Sequence, residues 1–367
     1  MRIDIETIWR FRKPGSRQPT SVMVGFLKDI HETGKLTTAA SRHQLSYRHA
    51  WNLVNEWSAF FGVPVVERSK GKGTKLTAFG EKLVWAGERL DARLGPQLEN
   101  LSQELTTELE ALLPSQLAVI RVHASHGFAV SKLREMLKET AGASVDLRYV
   151  SNQSSLVSLA HNSCDLAGVH LPRGELRKHS VNACREWVDN RVHRVIGFAT
   201  REMGLMVKPG NPLRITSMAA LINPAIRFVN RDPDSGTRLL FDQILSQHKI
   251  SSEKINGYQQ VEFTHAAVAA YVASDMADVS FGVEAAARQF GLDFVRLLTE
   301  DYYFVCLKTL LDSEPMKHIL SVMRSAEFHD ALAKLPGYAA ADTGAIKTVN
   351  EVFSRQEGVR PTGHETR

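Results

Sequence analysis

Two short stretches of this sequence set hydroxyls and glycine beside positive charge in a way that suits an anion. The first is Ser235-Gly236-Thr237-Arg238, which opens a helical pattern after the apolar run AIRFVNR, with Arg231 at the end of that run. The first N–H groups of a helix have no intrahelical acceptor, so together with Ser and Thr hydroxyls they form a ready anion site. Arg231 and Arg238 supply charge. The second stretch is Ser125-His126-Gly127, which follows LAVIRVHA and precedes a helix beginning near Phe128. In open α/β sheets such turns gather at the carboxyl ends of strands, where ligands sit. The two turns are therefore expected to face each other across a cleft. The plainer alternative for Ser-Gly-Thr is a helix cap with a surface arginine.

Weaker candidates surround these. Asn152, Gln153 and Ser154 end the next strand and either line the cleft or cap a helix. Thr264 and His265 form a third wall, or the histidine merely packs beside its Ala-rich helix. His170 ends CDLAGVH, and Tyr302 and Tyr303 share a strand on which one ring faces the core by default. No nucleophile with a converging base, no paired carboxylates and no metal-ligand spacing stand out, so a binding module without cofactor or metal is expected rather than an enzyme.

A different chemistry lies near the N-terminus. Ser46, Tyr47, Arg48 and His49 begin a helical stretch that continues through Asn52. As the first turn of a recognition helix, Arg48 can fork two bonds to a guanine, while His49 and Asn52 reach other base edges. Ser46 and Tyr47 are placed for phosphates, and Ser46 can also cap the helix. A solvated polar face is the alternative. Arg68, Lys70, Lys72 and Lys75 follow, four cations within eight residues around a Gly-Lys-Gly turn. Such a ribbon suits phosphates or a minor groove, so double-stranded DNA is the expected macromolecular partner.

The elements that must position these groups follow from periodicity. Val24, Leu27 and Ile30 make one helical stripe and Ala50, Leu53, Val54 and Trp57 another, with a short helix at LTTAASR between them and two short strands in VVERSKGKGTKLT. The expected unit is a winged helix-turn-helix over residues 1–77. From residue 78, leucines at Leu83, Leu90, Leu94, Leu101, Leu105 and Leu112 form a seam that either pairs two subunits or packs on its own domain. This linker and dimerisation helix is assigned to 78–115, with Gly95-Pro96 expected to interrupt it and Leu113-Pro114-Ser115 as linker. Strand, helix, strand then alternate over 116–340, which predicts a doubly wound, mostly parallel α/β domain of two lobes. Residues 341–367 read as a polar tail.

Composition agrees with a folded, multidomain chain, since 367 residues exceed one ordinary core. Cys164, Cys184 and Cys306 are few and scattered, and are expected as buried thiols. An N-terminus without an apolar segment, and no long apolar run downstream, predict a cytoplasmic protein with no membrane partner. A transport solute receptor would share the second domain but needs export and has no use for residues 21–76.

LSYRHAWNLVNEW followed by GKGTKLTAFGEKL resembles the N-terminal domain of ModE-type molybdate-responsive regulators, and FFGVPVVERSKGKGTKLTAFGE has the broader cast of LysR-type regulators. The resemblance implies a dimer reading a two-fold operator; a homo-oligomer paired through residues 78–112 is expected, extended to a tetramer if the sensor domains also pair. After the linker the chain departs from ModE. VNRDPDSGTRLLFD, FTHAAVAAYVASDMADVSFGVEAAA and LDFVRLLTEDYYFV resemble instead the type II periplasmic-binding-protein-like domain fused to such regulators and to some molybdopterin-biosynthesis proteins. That implies a small anionic ligand, with molybdate, tungstate or a molybdopterin-related molecule first and an organic acid such as formate second. A molybdenum-cofactor biosynthesis or trafficking protein is the other reading the resemblance allows.

Overall fold

The computed structural model describes residues 3–13, 22–69, 73–110, 119–140 and 144–354. These divide into two compact units, one over Asp4–Leu98 and one made of Ile3 and the described residues from Glu99 onward.

In the first unit, α1 (Met23–Thr33) buries Met23, Phe26, Leu27 and Ile30. Leu27 and Ile30 are buried as expected, and Val24 packs half-buried against the same core and beside Gly87. α1 stops at Gly34, whose left-handed backbone lets its N–H reach the Ile30 carbonyl. α2 (Leu36–Arg42) packs through Leu36, Ala39 and Ala40. α3 (Tyr47–Phe61) buries Ala50, Leu53, Val54 and Trp57 and ends at Gly62. Trp57 meets Phe26 edge to face at 5.6 Å. β1 (Val66–Ser69) and β2 (Gly73–Leu76) then form an antiparallel hairpin. The Thr74 N–H donates to the Gly34 carbonyl at 3.0 Å. A Cβ at Gly73 would stand 2.3 Å from that oxygen, so only glycine lets the hairpin dock on the end of α1.

α4 (Ala78–Glu110) is one helix with Pro96 inside it. The interruption expected at Gly95-Pro96 does not break it, since proline removes only one backbone donor from a helix long enough to hold its other turns. Its leucine seam divides. Leu83 is buried, whereas Leu101, Leu105 and Leu109 are 50%, 42% and 43% exposed. Leu112 and Leu113-Pro114-Ser115 lie outside the described residues.

The second unit contains β3 (Val119–Ala124), α5 (Phe128–Glu139), β4 (Ser144–Tyr149), α6 (Asn152–Ala160), β5 (Leu166–Pro172), α7 (Arg177–Arg185) and the 15-residue β6 (His193–Val207). Next come β7 (Phe228–Arg231), α8 (Gly236–Gln247), β8 (Val261–Glu262), α9 (His265–Ala273), β9 (Val279–Val283), α10 (Glu284–Gln289) and the equally long β10 (Asp293–Leu307). α11 (Glu314–Arg324), α12 (Ala326–Ala333), β11 (Tyr338–Ala339), β12 (Ile346–Thr348) and α13 (Val349–Phe353) complete it. The sheet order is β4-β3-β5-β10-β6-β9-β7-β8.

Two parallel flanks, β4-β3-β5 and β9-β7-β8, are thus joined by β6 and β10, which run antiparallel through both lobes. The sheet is mixed rather than mostly parallel. One core lies in the β7–β9 lobe around Phe228, Phe241 and Phe281. The other lobe has a core on each face of its sheet, one around Phe198, Phe304 and Phe328 and one around Leu156, Val169 and Phe353. The structure also continues past residue 340, where the sequence suggested a polar tail. β12 pairs with β6, and Val349, Val352 and Phe353 bury against the sheet. The stretch from residue 355 lies outside the described residues.

A candidate anion-binding cleft

Both turns singled out in the sequence sit where parallel strands give way to helices, and both border the cleft between the lobes. On one side β3 ends in Ser125-His126-Gly127, and α5 starts after Gly127 without a side-chain cap. Asn152, the first residue of α6, ties this edge together. It accepts from the Ser125 hydroxyl at 3.3 Å and from the His170 N–H at 3.3 Å, and donates to the His170 carbonyl at 3.2 Å. The α6 cap is Ser151, which accepts from the Ser154 N–H, and the two serine hydroxyls lie 2.8 Å apart. Ser154 therefore serves the cap and is exposed there. On the other side, Gly236 opens α8, and a Cβ there would stand 3.4 Å from Asn152 Nδ2. The start of α8 thus faces the start of α6, whose Asn152 also holds Ser125 of the turn before α5.

Arg231, the last residue of β7, is 8% exposed. Its Nη2 donates to the Phe263 carbonyl at 2.8 Å, while Nε and Nη1 are buried without a hydrogen-bond partner. Burial, with Arg201 nearby, brings its guanidinium down to about 9, which leaves it charged at neutral pH. Arg201, in the middle of β6, is also buried but is answered by Glu300, directly opposite on β10, at 2.7 and 2.8 Å. Burial works against the Arg201 charge, yet Glu300 holds its pKa above the usual value.

Three histidines complete the group. His265, at the start of α9, hydrogen-bonds the Thr237 hydroxyl through Nε2 at 3.3 Å, and its Nδ1 is buried without a partner. Burial first, then the charges of Arg231 and Arg201, holds it well below the usual histidine range. Burial lowers His126 to about 4, with Arg231 adding to the effect, and its ring meets Tyr149 edge-on at 4.7 Å. His170 lies against Tyr302 with ring centroids 3.8 Å apart, and burial beside Arg201 keeps it neutral. Neither of its ring nitrogens has a partner.

Arg238, expected beside Arg231 in the cleft, is engaged elsewhere. Its Nε donates to Asp242 one turn on, its Nη1 donates to the Arg231 carbonyl, and its guanidinium stacks 4.0 Å over Tyr258. An arginine at N3 of α8 has an acceptor at i+4 on its own helix, and that local pair wins. Ser235 and Thr264 are likewise caps, accepting from the Arg238 and Ala267 N–H groups.

The surface of the first unit presents Ser46, Tyr47, Arg48, His49 and Asn52 as exposed residues over the first two turns of α3. Ser46 caps that helix by accepting from the His49 N–H at 3.2 Å. Lys75 is exposed on β2 opposite Glu67, and Arg68 on β1 pairs in register with Thr74. Lys70 and Lys72 lie outside the described residues.

Residues 133–324, more than half of the chain, match the PBP superfamily domain. The chain belongs to this family. Curated relatives include the uncharacterized protein YvgK of Bacillus subtilis, 28% identical over 199 residues that cover 54% of this chain and 64% of that protein. An uncharacterized protein encoded in the 5′ region of a 2Fe-2S ferredoxin gene of Clostridium pasteurianum is 32% identical over 111 residues, 30% of this chain and 98% of its own length. Similar solved structures include an H2O2-bound OxyR mutant of Corynebacterium glutamicum, with a TM-score of 0.43 and 14% identity over 87% of this chain and 95% of that one. A Clostridium perfringens protein described as a phosphate ABC transporter substrate-binding protein with bound phosphate has a TM-score of 0.46 and 12% identity, covering 61% of this chain and all of its own.

In this PBP-like domain the residues that the sequence reading missed are Arg201 and Glu300. Their signal was present: one arginine within the apolar VIGFATREMGLMV and one glutamate within LLTEDYYFVCL, two charges in strands otherwise fit for burial. Cys164, Cys184 and Cys306 are buried free thiols. Among the described residues no helix is long and apolar enough to cross a membrane.

Proposed function

We propose that this chain is a ligand-responsive transcription regulator: a winged helix-turn-helix over residues 22–77 reads DNA, and the PBP-like domain senses a small anion. The observation that carries the sensing reading is Arg231, a buried guanidinium with two N–H groups unanswered beside two helix starts. Burying a charge without a partner costs several kcal/mol, so such a group is retained where an anion completes it. The DNA reading rests on the polar, exposed start of α3 next to a cationic hairpin, and on the resemblance of that segment to ModE-type and LysR-type regulators. The exposed stripe Leu101, Leu105 and Leu109 suits a second copy of the same helix, giving the dimer that a two-fold operator requires. Ligand bound between the lobes favours a closed state, and that preference is passed along α4 to the spacing of the paired DNA-reading units.

The resemblance puts molybdate, tungstate or a molybdopterin-related molecule first among ligands and a small organic acid second. The test is direct. A ligand at about a hundred times its Kd stabilises the fold by about 2.7 kcal/mol, which is read as a raised melting temperature. Each class is added to the full chain and to Arg231→Met, and DNA selected from a random pool is scored for two-fold related half-sites. A melting shift that survives undiminished in Arg231→Met refutes the site. Selected DNA without sequence preference refutes the regulator.

A further inference from the structure

We propose that the extended segment over residues 4–13 pairs antiparallel with the same segment of a second copy of this chain, about a two-fold axis at Ile8. The proposal rests on the dimer reading of α4 and adds a second contact to it, on a surface that neither the anion site nor the DNA-reading residues use.

The side chains of this segment alternate. Ile3, Ile5, Thr7, Trp9 and Phe11 are half-buried, whereas Asp4, Glu6, Ile8, Arg10 and Arg12 are exposed. A period of two marks an extended chain with one covered face, and its β-branched and aromatic residues suit a strand. The covered face is anchored: Phe11 meets Phe61 edge to face at 5.2 Å and Trp9 at 5.7 Å, and the Lys13 ammonium donates to the Phe60 carbonyl at 3.2 Å. Yet residues 5–13 belong to no sheet and make no backbone-to-backbone hydrogen bond with another described residue. At Ile3 both backbone groups are occupied, the N–H donating to the Thr106 hydroxyl at 3.1 Å and the carbonyl accepting from the Ser102 hydroxyl. Backbone groups of successive residues in an extended chain point to opposite edges, so those of Glu6, Ile8 and Arg10 lie on the edge that Ile3 does not use. Such an edge is a template for another strand.

The order of charge selects the partner. Along the exposed face Asp4, Glu6, Ile8, Arg10 and Arg12 run from negative through apolar to positive. Turned end over end, this series is its own complement. A two-fold axis at Ile8 sets Glu6 against Arg10 and Asp4 against Arg12, each twice, as a self-complementary interface requires. Opposite charges across strands stabilise the pair and like charges oppose it. Parallel pairing would set every charge against its like. A slip of two residues leaves Glu6 or Arg10 facing Ile8, and a slip of one sets the exposed face against the covered one. Ile8 itself, 64% exposed in the single chain, is covered by its own copy at the axis. On the other face the same register sets Thr7 beside Trp9 and Ile5 beside Phe11, β-branched against aromatic. An isolated two-stranded ribbon is marginal in water, so this pairing strengthens the dimer proposed for Leu101, Leu105 and Leu109 rather than replacing it.

The test uses the full chain, sedimentation and cysteine variants, the native thiols being buried. Ile8→Cys should give a covalent dimer under mild oxidation, because directly paired residues of an antiparallel ladder stand about 5.5 Å apart at Cα, within disulfide reach. Glu6→Cys or Arg10→Cys alone should give none, and the two chains mixed and allowed to exchange should give a mixed dimer. Glu6→Arg and Arg10→Glu should each raise the dimer Kd about tenfold, and the double variant should return it to within about threefold of the unmodified chain. A dimer that keeps its Kd in both single variants, gives no Ile8→Cys cross-link and dissociates in Leu105→Asp is held by α4 alone: the pairing is then wrong and the α4 dimer stands. Losses that the double variant does not repair overturn the pairing as well. A chain that sediments as a monomer overturns both. The substituted side chains are exposed, so folding should be retained, and if a charge variant misfolds the cysteine variants still decide.

Discussion

The two units carry their positive charge in opposite ways. At the start of α3 and on the hairpin, Arg48 and Lys75 stand in solvent on short, regular elements. In the cleft of the PBP-like domain, Arg201 and Arg231 are almost wholly buried on strands of a mixed sheet. An exposed cation keeps its hydration, and its attraction for a polyanion comes mainly from released counterions and fades with salt. A buried cation has already lost its water during folding, so its state depends on what stands beside it. Within the cleft that difference appears again: Arg201 has Glu300 and Arg231 does not. The same residue type thus serves as a surface charge, a fixed link between two strands and a buried charge with two N–H groups unanswered.

The largest effect expected from breaking this comparison is at the answered pair. Glu300→Gln leaves Arg201 buried without its carboxylate and should cost about 3–5 kcal/mol in chemical denaturation. A loss below about 1 kcal/mol would mean that Arg201 is not held by that pair.

Acid should act next, and on the buried side alone. His126, His170 and His265 have folded pKa values below the unfolded value of 6.5. The unfolded chain therefore binds protons first as pH falls. Stability is fully present above pH 6.5 and declines down to about pH 4, where His126 itself titrates. His126 alone should account for about 3 kcal/mol of that decline, from about 1.4 kcal/mol per unit of pKa. His126→Gln should flatten the curve in this window, and an unchanged curve would show that its ring is not buried in the folded chain.

Arg231→Met should raise the stability of the ligand-free chain by about 1–3 kcal/mol, the reverse of Glu300→Gln, because it removes a buried charge that has no partner. A loss of stability instead would place an unrecognised anion or carboxylate beside Arg231.

On the exposed side, Arg48→Ala should cost about 1–3 kcal/mol on selected DNA and little on random duplex. Lys75→Ala should do less still, weakening both equally and reducing the slope of log K against log salt by about 0.9. Ligand binding at Arg231, measured in parallel, should change far less with salt. If the two respond alike, the distinction between exposed and buried cations fails.

The sequence was legible where structure is local. The stripe Ala50, Leu53, Val54 and Trp57, the Ser46 cap and the helix starts at Gly236 and after Gly127 all follow from spacing within a few residues. Arg238 shows the limit. Its place at a helix start suggested a ligand, but Asp242 on the same helix and Tyr258, twenty positions away, claimed its side chain. Asn152 could be read as either lining or cap, and instead ties Ser125 to His170.

What the sequence determined by itself is the set of elements and the places where strands hand over to helices, because turn chemistry and apolar period act over one or two turns of chain. It also carried Arg231 at the end of its strand. Only the tertiary structure decided that β6 and β10 run antiparallel through both lobes and set Glu300 against Arg201. Only there are His126 from a turn, His170 from β5 and His265 from α9 brought near Arg231 and Arg201. Strand pairing across about a hundred residues depends on the whole sheet, and the meaning of a buried charge depends on neighbours that only the folded chain supplies.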